Sequence, residues 1–352
     1  MSSYRVAVVG ATGVVGTQML RTLARRGFPA REIVPMASAR SAGSKVVIGG
    51  QDVEVIELAD GNLDGFDIAI FSAGAGTSAE WAPKFAETGA IVVDNSSYWR
   101  MHDDIPLVVP EVNADALDAA VGDGGRKIIA NPNCSTAQML VPLKALHEVA
   151  ALQRVIVTTM QSVSGTGKAA IDELRAETQA IVNDENPPAP KSYPHQIAFN
   201  VLPQAGSFKD GDDYTDEERK LINETRKIMS LPDLPVTATC TRVPVYVGHS
   251  EAVTIQTELP LSAEQAREAL EAQPGVRVVD EPASAKYPMA IDAEGEGDVL
   301  VGRIRVDDSA PNSLHLFVVG DNLLKGAALN AVQIAEALVS RGLVSPGTAA
   351  SG

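Results

Sequence analysis

The sequence predicts an α/β protein of about two domains, the first of which contains a doubly wound parallel sheet. Three observations support this prediction. Apolar strands alternate with helical segments between residues 4 and 130, a pattern typical of parallel sheets covered by helices on both faces. A glycine turn directly follows the first strand, as in dinucleotide-binding folds. The chain of 352 residues is also longer than one hydrophobic core ordinarily supports.

The first strand, Tyr4 to Val9, leads into a glycine turn at Gly10 to Gly16, and a helical pattern then runs to about Arg26. Backbone amides at such a turn can hold a pyrophosphate, although the same glycines would also allow close packing of strand and helix. The spacing G-x-x-G-x-x-G is a variant of the usual fingerprint. The cofactor contacts predicted in this turn are Gly10, Thr12, Gly13, Val14 and Val15.

The second strand, Ile33 to Ala37, ends at a loop that contains Ser38, Arg40 and Ser41. Folds that prefer NAD usually place a carboxylate here to bind the ribose hydroxyl, whereas an arginine flanked by serines can hold a 2′-phosphate. The loop therefore favours NADP over NAD, although Arg40 is also explained as a solvated loop residue.

The alternation of strands and helices continues after a hairpin predicted at Val46 to Ile48 and Val53 to Val55. Ligands of open sheets bind at the carboxyl ends of strands. Ser72 is therefore a predicted cofactor contact, and Arg100 is a candidate anion ligand unless it is an ordinary surface arginine. The other elements predicted here are strands at 68–72, 91–94 and 127–130 and helices at 78–88 and 114–120.

Cys134 lies where the strand ending at Ala130 gives way to a helical pattern. The free amides and the dipole of a helix start stabilise an anion and lower the pKa of a cysteine, so this position suits a nucleophilic thiolate. Asn133 and Ser135 offer short polar side chains for capping or for binding an oxyanion. A lone cysteine can equally be a small buried apolar residue.

Beyond Cys134, a strand from Val155 to Ser162 carries Gln161 near its end. The loop 162–168 superficially resembles a P-loop, but Ser162 replaces the first glycine and Ala169 replaces the hydroxyl residue that would hold magnesium. The remaining predicted elements are a helix with its apolar face at Ile171, Leu174, Thr178 and Ile181, an irregular proline-rich connector at 186–194, a helix at 215–229, a turn at 292–298, strands at 299–306 and 314–319, and a helix at 324–340 followed by a mobile tail.

Two further pairs of polar residues are candidates for chemistry. Glu217 and Lys220 stand three apart on one helix, which by itself indicates only a surface ion pair. Arg242 and His249 are seven apart and can reach one site only if the chain bends near Pro244 or Gly248. Beside a thiol, His249 would be a general acid and base, although a lone histidine can also be structural.

Composition narrows the class of protein. The formal net charge of −16 opposes nonspecific binding to nucleic acid or to anionic membranes. The chain has only two cysteines and no clustered histidines, so we expect neither a disulfide framework nor a metal site. No segment reaches about 18 uninterrupted apolar residues, and the N-terminus does not have the pattern of a signal peptide. We therefore expect a cytoplasmic protein.

Taken together, these residues resemble one family along essentially the whole chain. The ordered set of motifs is similar to that of bacterial aspartate-semialdehyde dehydrogenases. The motifs are Gly10 to Gly16, Asn131-Pro132-Asn133-Cys134-Ser135-Thr136, Gln161 with Ser164-Gly165, Glu217-Glu218-Arg219-Lys220, Arg242 before His249, and Gly320-Asp321-Asn322.

The resemblance implies a fold and an activity. The fold would be a homodimer of chains with a Rossmann-like dinucleotide-binding domain at 1–132 plus 323–352 and an α+β catalytic and dimerisation domain with a mixed sheet at 133–322. The activity would be reversible, NADPH-dependent reductive dephosphorylation of 4-phospho-L-aspartate to L-aspartate 4-semialdehyde and inorganic phosphate. This reaction lies on the route to lysine (through diaminopimelate), methionine and threonine.

The resemblance also implies residue roles. Cys134 would be the nucleophile, Gln161 would orient the acyl group, and His249 would be the acid and base. The other implied contacts are Arg242 for the substrate carboxylate, Glu217 for its amine, Arg100, Asn133 and Lys220 for phosphate, and Ser164, Gly165 and Asn322 for the nicotinamide side of NADP.

Three alternatives remain. N-acetyl-gamma-glutamyl-phosphate reductase and glyceraldehyde-3-phosphate dehydrogenase share the thioester chemistry, but the sequence around Cys134, with Glu217 and Arg242, argues against both. A noncatalytic NADP-binding sensor would not need Cys134, Gln161 and His249 together. A cysteine hydrolase would leave the glycine turn unexplained.

Overall fold

A computed structural model of the chain describes residues 3–347. The last five residues of the tail predicted to be mobile, 348–352, lie outside this range. The described residues divide into two compact units, the first comprising 3–132 and 327–347 and the second Asn133–Gly326. None of the helices in residues 3–347 has the length and apolar character needed to span a bilayer.

Strands and helices alternate through much of the described chain. The strands are β1 Tyr4–Val9, β2 Ala30–Ala37, β3 Lys45–Ile48, β4 Gln51–Glu54, β5 Ile56–Glu57, β6 Ile68–Phe71, β7 Ile91–Asp94, β8 Ile128–Ala130, β9 Leu152–Gln161, β10 Val236–Arg242, β11 His249–Thr257, β12 Val276–Val278, β13 Val299–Val306 and β14 Ser313–Gly320. The α-helices are α1 Val14–Arg25, α2 Ala75–Glu87, α3 Pro110–Asn113, α4 Asp118–Val121, α5 Cys134–Ala150, α6 Lys168–Val182, α7 Asp216–Met229, α8 Ala263–Ala272, α9 Ala290–Ala293 and α10 Leu329–Ser340.

The first unit contains the doubly wound parallel sheet that the sequence predicts. Its strand order is β5-β2-β1-β6-β7-β8, and every pairing is parallel. On one face, α1 and α10 share a hydrophobic core with Val6 and Val8 of β1. On the other face, Phe85 of α2 meets Phe71 of β6 edge to face, with ring centroids 5.5 Å apart. Strands β1, β6, β7 and β8 are buried on both faces, which explains why they read as continuous apolar runs.

The second unit is built on a mixed sheet. Its strand order is β10-β9-β11-β14-β13-β12, with two parallel and three antiparallel pairings. Helix α5 packs across β9, β11, β13 and β14, and α7 packs on β10 and α5. Buried residues alternate with more exposed ones along β11, as expected when helices cover one face of a sheet.

Several predicted boundaries are wrong. Helix α2 begins at Ala75 rather than Ser78, because Gly74 adopts a φ of 83° before it and starts the helix earlier. The helix predicted at 114–120 is a 3-10 turn, Ala114–Leu117, followed by the four-residue α4. This segment ends at Gly122 and is too short to sustain a regular helix.

The helix predicted at 324–340 is also divided. It begins with a π-helical turn, Leu324–Ala328, before α10. Asp321 Oδ1 accepts the backbone N–H groups of Leu323 and Leu324 at 2.8 and 3.2 Å and so fixes the start of this turn. At the predicted turn 292–298, α9 occupies the first two positions.

Candidate active site

The glycine turn of the first unit shows which glycines are needed for packing. Gly10 has a φ of +83°, and a Cβ there would lie 2.3 Å from the carbonyl oxygen of Ser72. A Cβ on Gly16 would lie 2.1 Å from the carbonyl oxygen of Gly10. Gly13 differs, since its Cβ would meet only that same oxygen, at 3.4 Å. Close packing therefore accounts for Gly10 and Gly16, whereas Gly13 leaves the start of α1 open for a ligand.

The other cofactor contacts predicted in the first unit share this edge of the sheet. The backbone N–H groups of Gly10 and Ala11 donate to the carbonyl oxygen of Met36 in β2, at 2.8 and 3.1 Å. Ser38, Arg40 and Ser41 follow β2 directly, and Arg40 is exposed. Ser72 follows β6, on the other side of β1. Thr12 is exposed in the turn, and Val14 and Val15 begin α1. The carboxyl edge of three neighbouring strands is where dinucleotides bind in this type of sheet.

In the second unit, Cys134 is the first residue of α5 and is half-buried. Asn133 caps the helix, since its Oδ1 accepts the backbone N–H groups of Ser135 and Thr136 at 3.0 and 3.3 Å. The predicted position of the thiol at a helix start is therefore confirmed, and the positive end of the helix dipole favours its thiolate.

Helix α7 fixes this helix start through two buried glutamates. The backbone N–H of Asn133 donates to Glu224 Oε2 at 2.6 Å, and Asn133 Nδ2 donates to Glu217 Oε1 at 2.8 Å. Glu217 and Glu224 are seven apart and therefore share one face of α7. Glu224 was not predicted from the sequence. Its helical spacing from Glu217 was the available signal.

The register of the mixed sheet places three predicted residues side by side. Arg242 of β10 pairs with Gln161 of β9. On the other side of β9, Ser250 pairs with Met160, so His249 lies opposite Gln161. The chain turns between β10 and β11, and Gly248 in this turn has a φ of +93°. The bend expected near Pro244 or Gly248 is therefore present, and it brings Arg242 and His249 to one side of the sheet.

The first turn of α5 contacts this row of side chains. Gln161 Nε2 donates to Ser135 Oγ at 3.1 Å, and Gln138 Nε2 donates to the carbonyl oxygen of His249 at 3.1 Å. The helix that begins with Cys134 is thus tied to both Gln161 and His249. Ser135 was considered only for capping or oxyanion binding, and Gln138 was not predicted at all.

His249 is fully buried, and its hydrogen bonds define where its proton lies. The backbone N–H of Ser162 donates to Nδ1 at 3.0 Å. A backbone N–H can only donate, so Nδ1 is the acceptor and the neutral ring carries its proton on Nε2. Nε2 makes no hydrogen bond to any residue in 3–347. Burial and the charge of Arg242 hold the His249 pKa well below its ordinary value.

Arg242 and His249 both lie against Gly165. Arg242 Nη1 donates to the carbonyl oxygen of Ser162 at 2.8 Å, and the residue is only 6 % exposed. A Cβ on Gly165 would lie 3.1 Å from Arg242 Nη1 and 3.2 Å from His249 Nε2. A side chain at this position would press against both groups, so glycine leaves their ends uncrowded.

Asn322 ties together the loops that carry these groups. Its Oδ1 accepts hydrogen bonds from Ser162 Oγ at 3.0 Å, from Ser164 Oγ at 3.2 Å and from the backbone N–H of Gly248 at 2.9 Å. Its Nδ2 donates to Ser164 Oγ at 2.9 Å. Asn322 and Ser164 thus position the ends of β9 and β11, whatever ligand contacts they also make.

Glu217 and Lys220 are not the surface pair that their spacing alone indicates. Glu217 is buried, and Lys220 Nζ lies 3.2 Å from its Oε2 and 2.9 Å from Asp216 Oδ2. Burial would raise the Glu217 pKa, but Lys220, the hydrogen bond from Asn133 and the charge of Arg242 hold it below the ordinary value. Burial would lower the Lys220 pKa, but Glu217 and Asp216 raise it. Both groups are therefore charged at neutral pH.

Arg100 belongs to the first unit, whereas the other predicted substrate contacts all belong to the second. Its Nη2 donates to the carbonyl oxygen of Asn95 at 3.1 Å, and it is 7 % exposed. The alternative of an ordinary surface arginine is therefore wrong, while its role as a phosphate ligand stays a prediction. Within residues 3–347, no group of three or more His, Cys, Asp or Glu side chains is arranged to hold a metal ion.

Comparison with known proteins identifies the family. Residues 5–120 match the model for the semialdehyde dehydrogenase NAD binding domain, and residues 143–325 match that for the semialdehyde dehydrogenase dimerisation domain. The chain is 51 % identical to the aspartate-semialdehyde dehydrogenase of Aquifex aeolicus, with 97 % of this chain and 99 % of that one covered.

Solved structures agree with this match. The crystal structure of aspartate semialdehyde dehydrogenase II complexed with ASA from Vibrio cholerae has a TM-score of 0.91 at 46 % identity and covers 97 % of this chain and 99 % of its own. Aspartate semialdehyde dehydrogenase with NADP from Candida albicans has a TM-score of 0.73 at 27 % identity and covers 97 % of this chain and 100 % of its own. The chain belongs to the aspartate-semialdehyde dehydrogenase family.

Proposed function

We propose that the protein catalyses the reversible, NADPH-dependent reductive dephosphorylation of 4-phospho-L-aspartate to L-aspartate 4-semialdehyde, in the biosynthesis of lysine, methionine and threonine. The observation that carries this proposal is the row of Gln161, Arg242 and His249, to which the helix that begins with Cys134 is hydrogen-bonded. The names of the relatives support the same reaction.

Cys134 acts as the nucleophile. Its thiolate attacks the acyl carbon of the acyl phosphate, the bond to the phosphate oxygen breaks, and phosphate leaves with the electron pair to give a thioester. NADPH, when bound, supplies the hydride that reduces this thioester. The resulting thiohemiacetal collapses to the aldehyde and returns the thiolate. A hydroxyl nucleophile would give an ester, which accepts hydride less readily.

His249 acts through Nε2. In the tautomer that the Ser162 amide favours, Nε2 carries the proton, so the ring donates a hydrogen bond to the oxygen of the reacting acyl group and stabilises the negative charge that develops there until the thiohemiacetal collapses. The same tautomer leaves no lone pair on Nε2 to deprotonate the resting thiol. The start of α5 therefore has to stabilise the Cys134 thiolate.

Each polar or charged group around this row binds a different part of the small anionic substrate. Arg242 binds the substrate carboxylate, Glu217 binds the amine, and Gln161 orients the acyl group. Glu217 suits an ammonium group because it is buried yet ionised. The phosphate ligands are Lys220, Asn133 and Arg100.

NADP is the cofactor, and the domain that binds it comprises residues 1–132 and 323–352, leaving 133–322 as the catalytic domain. The open start of α1 at Gly13 fits a pyrophosphate, and the exposed Arg40 fits a 2′-phosphate. Gly165 leaves room for the nicotinamide side of NADP beside His249.

We further propose that the protein is a cytoplasmic homodimer. The match to the dimerisation domain model supports the dimer. The face of the mixed sheet opposite α5 is only partly buried along β11 and leaves a surface for a second copy. Cys134 and Cys240 do not form a disulfide with each other, which suits a reducing compartment.

The test is phosphate-dependent reduction of NADP with L-aspartate 4-semialdehyde, measured beside N-acetyl-L-glutamate 5-semialdehyde. We expect turnover of the first substrate alone, loss of turnover in Cys134→Ala, and retained turnover in the matched control Cys240→Ala. Turnover of the second substrate would assign the protein to the N-acetyl-gamma-glutamyl-phosphate reductases. Tight NADP binding without turnover of either would favour a sensor.

A further inference from the structure

A second row of side chains lies directly beneath the row of Arg242, Gln161 and His249, which we call the catalytic row in line with the proposed function. Cys240, Thr159, Glu251 and Val318 follow one another across β10, β9, β11 and β14, two residues along each strand from Arg242, Gln161, His249 and Gly320. Side chains two apart on a strand point to the same face. Glu251 therefore faces α5, as His249 does, and is fully buried.

The Glu251 carboxyl forms no ion pair with any of residues 3–347. Neither of its oxygens makes a hydrogen bond to any residue in 3–347. The titratable or charged groups near it are His249 on its own strand, Cys240 and Arg242 on β10, Cys134 at the start of α5, and Glu217 and Glu218 of α7, which act on Cys240 as Glu251 does. Arg242, the cation of this set, is hydrogen-bonded one row away to the carbonyl oxygen of Ser162. Burial raises the Glu251 pKa well above its ordinary value.

The side chains that face the carboxyl are the ones that connect α5 to the catalytic row. Ser135 and Gln138 lie close enough to Glu251 to interact with it. Ser135 Oγ already accepts from Gln161, so its own proton is available to donate. Gln138 Nε2 donates to His249, while Gln138 Oε1 makes no hydrogen bond in residues 3–347. A Cβ on Gly320 would lie 2.8 Å from Gln138 Oε1, so glycine there makes room for this amide.

We propose that Glu251 is a neutral carboxylic acid that positions Gln161 and His249 through Ser135 and Gln138. Its O–H donates to Gln138 Oε1, and its carbonyl oxygen accepts from Ser135 Oγ. This arrangement satisfies three buried atoms that are otherwise without partners, and such atoms are costly to leave unpaired. It also keeps a negative charge away from the thiolate that the reaction needs. The catalytic consequence of the proposal rests on the proposed function, but the protonation state does not.

The protonation state can be measured without turnover. The infrared difference spectrum of wild type minus Glu251→Gln should contain the carbonyl band of a protonated carboxylic acid at neutral pH. The matched control is Glu177→Gln, a fully buried glutamate of α6 that accepts from the backbone N–H groups of Ile197 and Ala198, each at 2.9 Å. It should not remove that band. A carboxylate band lost in Glu251→Gln would overturn the proposal.

The rate of Cys134 alkylation as a function of pH gives a second readout. Because Glu251→Gln replaces one neutral group with another, the thiol pKa should not change. If Glu251 were ionised, removing its charge would lower the thiol pKa by about one unit or more, and the proposal would be wrong.

Kinetics test the positioning role. The amide of Glu251→Gln can make both hydrogen bonds and should retain most of kcat. Glu251→Leu keeps the bulk but loses both bonds, and we expect kcat to fall about 10- to 100-fold with KM for L-aspartate 4-semialdehyde nearly unchanged. A normal kcat in Glu251→Leu would overturn the positioning role. If the wild type itself shows no turnover, the proposed function fails, and the infrared and alkylation results still decide the protonation state.

Discussion

Gly326 lies against Cys134, the proposed nucleophile, and Gly326→Ala tests how precisely the position of Cys134 must be held. A Cβ on Gly326 would lie 2.7 Å from Cys134 Cβ and 3.1 Å from Cys134 Cα. Carbon atoms in good contact are about 3.5–4.0 Å apart. Cys134 or the π-helical turn at Leu324–Ala328 must therefore move by about 1 Å to admit the methyl group.

The expected effect of Gly326→Ala on kcat is larger than its effect on the free energy of unfolding, so the two can be measured separately. A displacement of about 1 Å at a reacting atom can lower kcat about 100-fold. Overpacking costs about 1–3 kcal/mol of unfolding free energy, and replacing a helical glycine with alanine returns about 0.5–1 kcal/mol. We therefore expect the thermal transition to remain cooperative and only moderately lowered, while kcat falls strongly.

The assay is the initial rate of phosphate-dependent NADP reduction, with kcat and KM determined separately and unfolding followed by calorimetry. The control is Gly61→Ala, where the added methyl group meets nothing within 4 Å and kcat should be normal. A normal kcat in Gly326→Ala would refute the reasoning, because the methyl group would then be accommodated without moving the thiol. Loss of the cooperative transition would mean that the clash disrupts the fold instead.

Three other predictions concern the substrate, the pH profile and the cofactor. Arg242→Lys should lower kcat/KM for L-aspartate 4-semialdehyde at least 10-fold, because a lysine cannot form the bidentate contact with a carboxylate; a kinetically normal variant would contradict this. The His249 pKa is lowered, so the neutral ring persists as pH falls through the ordinary histidine value near 6.5, and kcat/KM should show no histidine inflection there. Arg242→Leu, measured alongside, should move the acidic limb of the pH profile to higher pH, because removing the charge of Arg242 raises the His249 pKa. Arg40→Ser should raise KM for NADP about 10-fold or more and leave KM for NAD nearly unchanged, since only NADP carries the 2′-phosphate; equal changes for both cofactors would refute this.

Local sequence patterns predicted much of this structure because their causes are local. Strand β1 covers Tyr4 to Val9 as predicted. The start of α7 follows from the capping box of Thr215 and Glu218, in which each side chain accepts the other residue's backbone N–H. Cys134 lies at a helix start because Asn133 caps α5. Each of these features depends on residues within a few positions of one another.

The catalytic row could not be derived from spacing alone. Whether His249 reaches Gln161 depends on the register of β11 against β9, which is set by pairing between residues almost 90 positions apart in the chain. The position of Glu251 beneath that row has the same origin. In the sequence it is a single acidic residue in an apolar strand, and only the sheet and α5 together show that it is buried.

The hydrogen bond from the Ser162 amide to His249 has a consequence for how this site can vary. In a catalytic triad a carboxylate side chain selects the tautomer of the histidine, and one substitution can abolish that selection. Here a main-chain group at the end of β9 makes the selection. Any amino acid except proline at position 162 still supplies the N–H. The backbone at the end of β9 therefore keeps the imidazole in this orientation whichever side chain position 162 carries. Substitutions that alter the chemistry of this histidine must therefore act on Nε2, on the burial of the ring, on the charge of Arg242, or on the Ser162 hydroxyl, which lies 3.1 Å from Nδ1.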